Sequence, residues 1–296
     1  MASSRTRPRA GAGREISVRA PAKINLSLRV IGTRTDGYHE LRTVFQSLAL
    51  HDTLKVRRSA GAFAITSNDP ACPADASNLV WRAADALWRA DGRRGSPGGV
   101  SVRIIKRIPM AAGLGGGSSD AAAAIRALAK WWRVKLPPAR LRAVAATIGA
   151  DVPYFLEGGT ALGIERGDVL MPLIDAPPVW VVLVIPPFGV STADAYGWFD
   201  SDEHAAGDSA PEERDDGNDL ERPVAARHPE IGRIARALAR AGASHAAMSG
   251  SGSAVFGLFR SRARAAAAAT ALERRGRSIL ITRTVDRAKY RRLTWP

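Results

Sequence analysis

Chemistry concentrates in the run Pro109-Met110-Ala111-Ala112-Gly113-Leu114-Gly115-Gly116-Gly117-Ser118-Ser119-Asp120. Four of the five residues from Gly113 to Gly117 are glycine. Glycine turns the backbone through positive φ and lets main-chain N–H groups approach a ligand. The alanine-rich stretch 121–128 predicts a helix. Its first N–H groups lack intrahelical partners and sit at the positive end of the dipole, so a phosphate is the natural guest. Residues 100–108 predict a strand, which makes the order strand, glycine loop, helix. No lysine follows the glycines, as a Walker A loop requires, and Ser118 stands where a dinucleotide fingerprint needs its last glycine. A plain flexible loop, with Ser118, Ser119 or Asp120 capping the helix, accounts for the same residues without a ligand.

Four other groups could do chemistry. Lys23 and Asn25 share one face of a strand over 16–30, whose other face carries Ile24, Leu26, Leu28 and Val30. A lysine there steadies a phosphate or depresses the pKa of a nearby hydroxyl; equally, that face is simply wet. Asp151 follows a helix stop at Gly149, and Pro153 restricts Val152. It either takes a proton from an attacking hydroxyl or caps the turn at Pro153. Tyr38-His39, just after the turn 33–37, could stack on and hydrogen-bond a heterocyclic base. The alternative is a tyrosine packed at a strand start beside an exposed histidine. Ser249-Gly250-Ser251-Gly252-Ser253 either lines an anion or ribose site or makes a tight turn at a domain seam.

The elements that must hold these groups follow in outline. Further strands are predicted at 41–50, 54–57, 179–184, 254–259 and 278–284, and a hairpin after Gly158-Gly159. Helices are predicted at 78–90, from Pro137-Pro138 to about 148, at 229–241 and at 263–274. The second half thus mixes strands and helices in an α+β order. Residues 200–219 hold nine acids and one arginine and predict a solvated, mobile insertion. A chain of 296 residues suits two domains. No apolar stretch approaches a membrane span. The start carries Arg5, Arg7, Arg9 and Arg14 without an apolar core, which predicts a disordered basic tail over 1–15. The lone Cys72 suits a reducing cytoplasm, and the scattered histidines offer no zinc spacing. The net charge of +15 is mostly arginine spread along the chain, without a nucleic-acid-binding motif, so neither nucleic acid nor membrane is expected as a partner.

Together, Pro21-Ala-Lys-Ile-Asn-Leu26, Asp36-Gly-Tyr-His-Glu40, the run 109–119, Gly149-Ala-Asp-Val-Pro153 and Ser249-Gly-Ser-Gly252 resemble, in this order, the GHMP kinase superfamily over about residues 16–285. The resemblance implies a two-domain α+β fold. An N-terminal α/β nucleotide domain, 16–170, would contain a left-handed βαβ crossover, against the usual rule. A ferredoxin-like α+β substrate domain, 171–296, would follow. It also implies ATP as co-substrate, with its phosphates on residues 109–119. Mg²⁺ would be held mainly by phosphate oxygens and water, with Ser119 as a contact. Asp151 would be the base toward the 2-hydroxyl of a cytidylyl-linked methylerythritol, in isoprenoid-precursor synthesis that bypasses mevalonate. Lys23 would hold that hydroxyl and the γ-phosphate. Tyr38 and His39 would read the cytosine, Tyr196 would stack on it, and Asn25 would assist near the substrate. Oligomeric state stays open between monomer and weak dimer. Gly167-Asp168 stands where the family often has Gly-Glu.

Overall fold

The computed structural model describes residues 15–206 and 217–295. The basic tail and the middle of the acidic insertion therefore lie outside the described residues. Two long strands, β1 (Glu15–Thr33) and β2 (His39–Ala62), pair antiparallel along most of their length. They anchor a six-stranded sheet. β3 (Ala64–Ser67) runs parallel to β4 (Gly98–Ile105), with α1 (Leu79–Ala90) between them in sequence, so the βαβ unit lies here. β4 and β5 (Thr160–Glu165) both pair with β2, and β6 (Val169–Pro172) closes the far edge. α2 (Gly116–Trp132) and α3 (Pro138–Ile148) join α1 on this sheet, and the single turn α4 (Tyr154–Glu157) leads into β5. α2 buries Ala121 through Ile125, Ala127 and Leu128; small side chains let the helix lie close.

The second half begins with β7 (Trp180–Ile185), followed by α5 (Thr192–Ala206), α6 (Glu221–Arg227) and α7 (Glu230–Arg240). β8 (His245–Met248), β9 (Val255–Phe259), α8 (Arg262–Leu272), β10 (Ser278–Arg283) and α9 (Arg287–Thr294) complete it. Its sheet runs β10-β7-β9-β8, all antiparallel, the ferredoxin-like order. Val182 and Val184 face the helices of this half. Val181, Leu183 and Ile185 face the other way, onto Ala22, Ile24, Leu48, Ile108 and Leu114 of the first half. A third apolar cluster thus glues the two layers together.

Several expectations need correction. Residues 41–50 and 54–57 form one strand, β2, because β1 pairs along one edge from His39 to Arg57 while β5 and β4 take successive stretches of the other. The helix expected from 121 starts at Gly116, so Ser118, Ser119 and Asp120 lie inside it rather than capping it. The acidic segment is ordered at both described ends. Residues 200–206 complete α5. Asp219 is fixed by Val30 N–H at 2.9 Å and the Arg29 guanidinium at 2.6 Å. Charge repulsion there is met by specific partners.

Candidate active site

A cleft of about 970 Å³ is lined by both halves of the chain. One wall is the glycine loop. Gly113 and Gly115 take φ of 73° and 68°, and Gly115 caps α2 without any side-chain bond. A Cβ on Gly113 would lie 2.0 Å from Ser249 O, and one on Gly115 2.7 Å from the Phe155 ring. Only glycine fits at either point. The loop presents the start of α2, with its unpaired N–H groups, to the cleft. Residues Pro109 through Ser118 line it. Ser119 does not: it is 1% exposed, and its hydroxyl donates to Pro21 O at 2.7 Å. That overturns Ser119 as a metal contact, because the side chain points into the body of the domain.

Opposite the loop stands Lys23. Register shifts between Pro21 and Lys23 and between Asn25 and Ser27 flank the pair Lys23/Asn25 in β1; such bulges re-aim side chains. The face is not wet, since Lys23 is 3% and Asn25 2% exposed. Lys23 N donates to Leu114 O at 3.1 Å, which ties the strand to the glycine loop. Lys23 Nζ donates to Asn25 Oδ1 at 2.5 Å and lies 3.5 Å from Asp151 Oδ2. Asn25 Nδ2 donates to Thr43 Oγ1 at 2.7 Å. Both ends of the Asn25 amide are therefore engaged, and it orients the lysine. Asp151 sits on the turn after α3, and no side chain caps α4. Its carboxylate faces Lys23 instead.

The base-reading candidates gather at the other end. Tyr38 is exposed and lines the cleft, with the Arg166 guanidinium 5.2 Å over its ring. Arg166 is held by Asp168 at 2.5 Å, which gives the Gly167-Asp168 departure a structural part. His39 stacks on Tyr196 with centroids 4.6 Å apart, and its Nε2 lies 2.7 Å from Asp200 Oδ1. Burial, and then the nearby Asp151 charge, push the Tyr196 phenol well up, so it stays neutral. The Ser249–Ser253 turn does close the seam: Ser249 Oγ donates to Gly113 O at 3.0 Å, and Gly250, Ser251 and Gly252 line the cleft.

Sequence reasoning missed a buried cluster beneath the loop. Lys106 Nζ lies 2.5 Å from Asp52 Oδ2 and 2.9 Å from Asp120 Oδ2. Asp52 Oδ1 accepts Arg107 N–H at 2.5 Å and Ile108 N–H at 2.8 Å. Burial pushes Asp120 up to about 7, with Lys106 opposing and Asp52 adding to the rise. Asp120 Oδ1 is buried without a partner. No short-range spacing links three residues so far apart in the chain.

Fold and site define a small-molecule phosphotransferase of the GHMP class. The GHMP kinases N terminal domain family matches residues 78–159, and the GHMP kinases C terminal family matches 199–278. A 4-diphosphocytidyl-2-C-methyl-D-erythritol kinase of Pelotomaculum thermopropionicum is 44% identical over 285 residues, covering 92% of this chain and 98% of that one. One of Solibacter usitatus is 46% identical over 272 residues, covering 84% and 83%. A crystal structure of 4-(cytidine 5'-diphospho)-2C-methyl-D-erythritol kinase superposes with a TM-score of 0.74 at 36% identity, over 91% of this chain and 99% of that one. The Methanococcus jannaschii mevalonate kinase, at 14% identity and a TM-score of 0.67 over 94% and 100% of the two chains, shares the fold. The chain belongs to the GHMP kinases and, among them, to the 4-diphosphocytidyl-2-C-methyl-D-erythritol kinase family.

Proposed function

We propose that this chain transfers the γ-phosphoryl group of ATP to the 2-hydroxyl of 4-diphosphocytidyl-2-C-methyl-D-erythritol, giving the 2-phosphate and ADP, in cytoplasmic, non-mevalonate synthesis of isoprenoid precursors. The observation that carries the reading is the Lys23 ammonium 3.5 Å from the Asp151 carboxylate, on a cleft walled by the glycine loop. The names of the relatives supply the acceptor.

The N–H groups of the loop and of the first turn of α2 hold the nucleotide's phosphates. The acceptor hydroxyl lies between Lys23 and Asp151. As its oxygen attacks the γ-phosphorus, its proton passes to the Asp151 carboxylate, and the β,γ-bridging P–O bond breaks to release ADP. Lys23 holds the attacking oxygen and the γ-phosphoryl oxygens, countering charge that builds between them. Asn25 keeps the ammonium in place. Tyr38 and His39 read the cytosine, with Tyr196 behind His39.

The described residues gather no cluster of three metal-ligating side chains, so Mg²⁺ would be held by phosphate oxygens and water. Bound there, it would neutralise phosphate charge. The same reading divides the chain into a nucleotide domain, 16–170, and a substrate domain, 171–296.

ADP release measured across the cytidylyl alcohol, mevalonate, homoserine and a hexose tests the proposal. Turnover should be confined to the cytidylyl acceptor, with about 10³-fold or more discrimination, because the base site is otherwise empty. Comparable turnover of mevalonate or homoserine would overturn it.

A further inference from the structure

Residues 217–221, at the end of the acidic segment, form a buried brace that the catalytic pair does not explain. Leu28 N donates to Gly217 O and Asp219 N donates to Leu28 O, each at 2.9 Å, so the segment pairs with β1 just beyond Asn25. Asn218, 8% exposed, turns its side chain toward the second half. Its Nδ2 donates to Met248 O at 2.8 Å and Gly250 O at 2.7 Å, while its Oδ1 accepts Leu220 N–H at 3.0 Å. Both amide hydrogens are engaged, and only an amide side chain supplies two donors with an acceptor on one carbon. Glu221 Oε2 accepts Met248 N–H at 2.7 Å from the other side.

What these bonds hold is the turn beside the lysine. A Cβ on Gly250 would lie 3.3 Å from both Lys23 Nζ and Asn25 Oδ1, and 3.4 Å from Gly113 O. Ser249 Oγ accepts Asn25 N–H at 3.3 Å as it donates to Gly113 O. The turn is thus a wedge between the ammonium and the glycine loop. One amide, Asn218, bridges the carbonyl of Met248, where β8 enters the turn, to that of Gly250 within it.

We propose that Asn218 and Glu221 are positioning residues for phosphoryl transfer: they clamp the Ser249–Gly252 turn against Lys23 and the glycine loop, and so fix where the ammonium stands between nucleotide and acceptor. The proposal rests on the role of Lys23 given above. Removing the clamp frees two carbonyls, and the wedge swings away from the lysine. The reacting groups remain present but out of place, which lowers kcat more than binding.

The test uses the full chain carrying Asn218→Ala. Its kcat should fall by about 10–100-fold while KM for both substrates stays within about threefold, the signature of misplacement and not of lost binding. In the substrate-free protein, an amine-directed reagent followed by peptide mass spectrometry should label Lys23 about tenfold faster, with Lys55 as the unchanged internal reference. Glu221→Ala should act in the same direction, and Glu221→Gln, which still offers an oxygen to Met248 N–H, should restore parental kcat. If Asn218→Ala does not fold, Asn218→Asp carries the same two readouts, since it fills the space but lacks the amide donors. Parental kcat together with a parental rate of Lys23 labelling would overturn the clamp. Labelling needs no substrate. Should the unmutated chain ignore the cytidylyl alcohol, the proposed acceptor fails, and the clamp is still judged by Lys23.

Discussion

Lys23 reaches its place because two register shifts and the Asn25 amide leave its side chain one direction. A buried ammonium needs a counter-charge, and Asp151, with a third of its side chain exposed, supplies it from the cleft side. The exposure matters, because an acceptor alcohol must be able to reach that carboxylate. Asp151→Ala should therefore lower kcat by about 10²–10⁴-fold, and it should also lower the melting temperature, because the buried Lys23 ammonium loses its counter-charge. A folded variant with near-parental kcat would remove Asp151 as the base. Asp120 makes a second prediction. Burial pushes it up to about 7, with Lys106 opposing and Asp52 adding. The folded chain keeps a proton that the unfolded chain releases from about pH 4 upward, so this residue's contribution to stability falls as pH rises toward about 7. Asp120→Asn removes that slope and leaves Lys106 paired with Asp52. The variant's melting temperature should gain on the parent's by a few degrees between about pH 5 and pH 8. A difference that stays constant across that range would mean Asp120 is ionised throughout.

At the scale of elements, the glycine loop separates two demands that the sequence presents as one run. Gly113 is needed for backbone space: its φ is 73°, and a Cβ would collide with Ser249 O at 2.0 Å. Gly117 lies inside α2, where the nearest atom to an added Cβ is Leu79 Cδ1 at 3.6 Å. Gly113→Ala should cost more than about 2 kcal/mol. Gly117→Ala should gain up to about 1 kcal/mol from helix propensity and raise KM for ATP, because its methyl stands on the rim of the phosphate cradle. Melting curves and ATP kinetics on the pair check this; equal melting temperatures would contradict it. The strand-loop-helix order was legible because glycines and an alanine run are local signals. The start of α2 at Gly116 was not, since packing on Ile108 and the cleft overrides poor glycine propensity. β8, only four residues long, and α5, with acids along its length, carry no clear period. Lys23, Asp151 and Tyr38-His39 could be picked out as residues, whereas Asp52 meets Lys106 across 54 positions and Asn218 meets Gly250 across 32. Such contacts exist only once the sheets are packed.

The whole molecule is two sheets that share a face. β7 alternates strictly: Val182 and Val184 belong to the core of the second half, while Val181, Leu183 and Ile185 are buried against β1, β2 and the glycine loop. Phe256 and Ala254 extend the same seam. Separating the halves would expose an apolar face on each and break the polar contacts along its margins, among them Gln46 Nε2 to Val285 O at 3.0 Å and Leu50 N to Thr282 Oγ1 at 2.9 Å. The cleft inherits its geometry from this seam, because Ile24, between Lys23 and Asn25, is one of its fully buried members. Folding should therefore be one cooperative event even though two sheets are present. Urea unfolding followed by far-UV circular dichroism and by tryptophan fluorescence, with tryptophans in both halves at 81, 88, 131, 132, 180, 198 and 295, should give superimposable transitions. Leu183→Ala should move both midpoints together, lowering stability by about 2–5 kcal/mol. If the variant instead splits the two probes into separate transitions, the halves are independent, and the seam cannot be what holds the ammonium, the carboxylate and the phosphate loop in register.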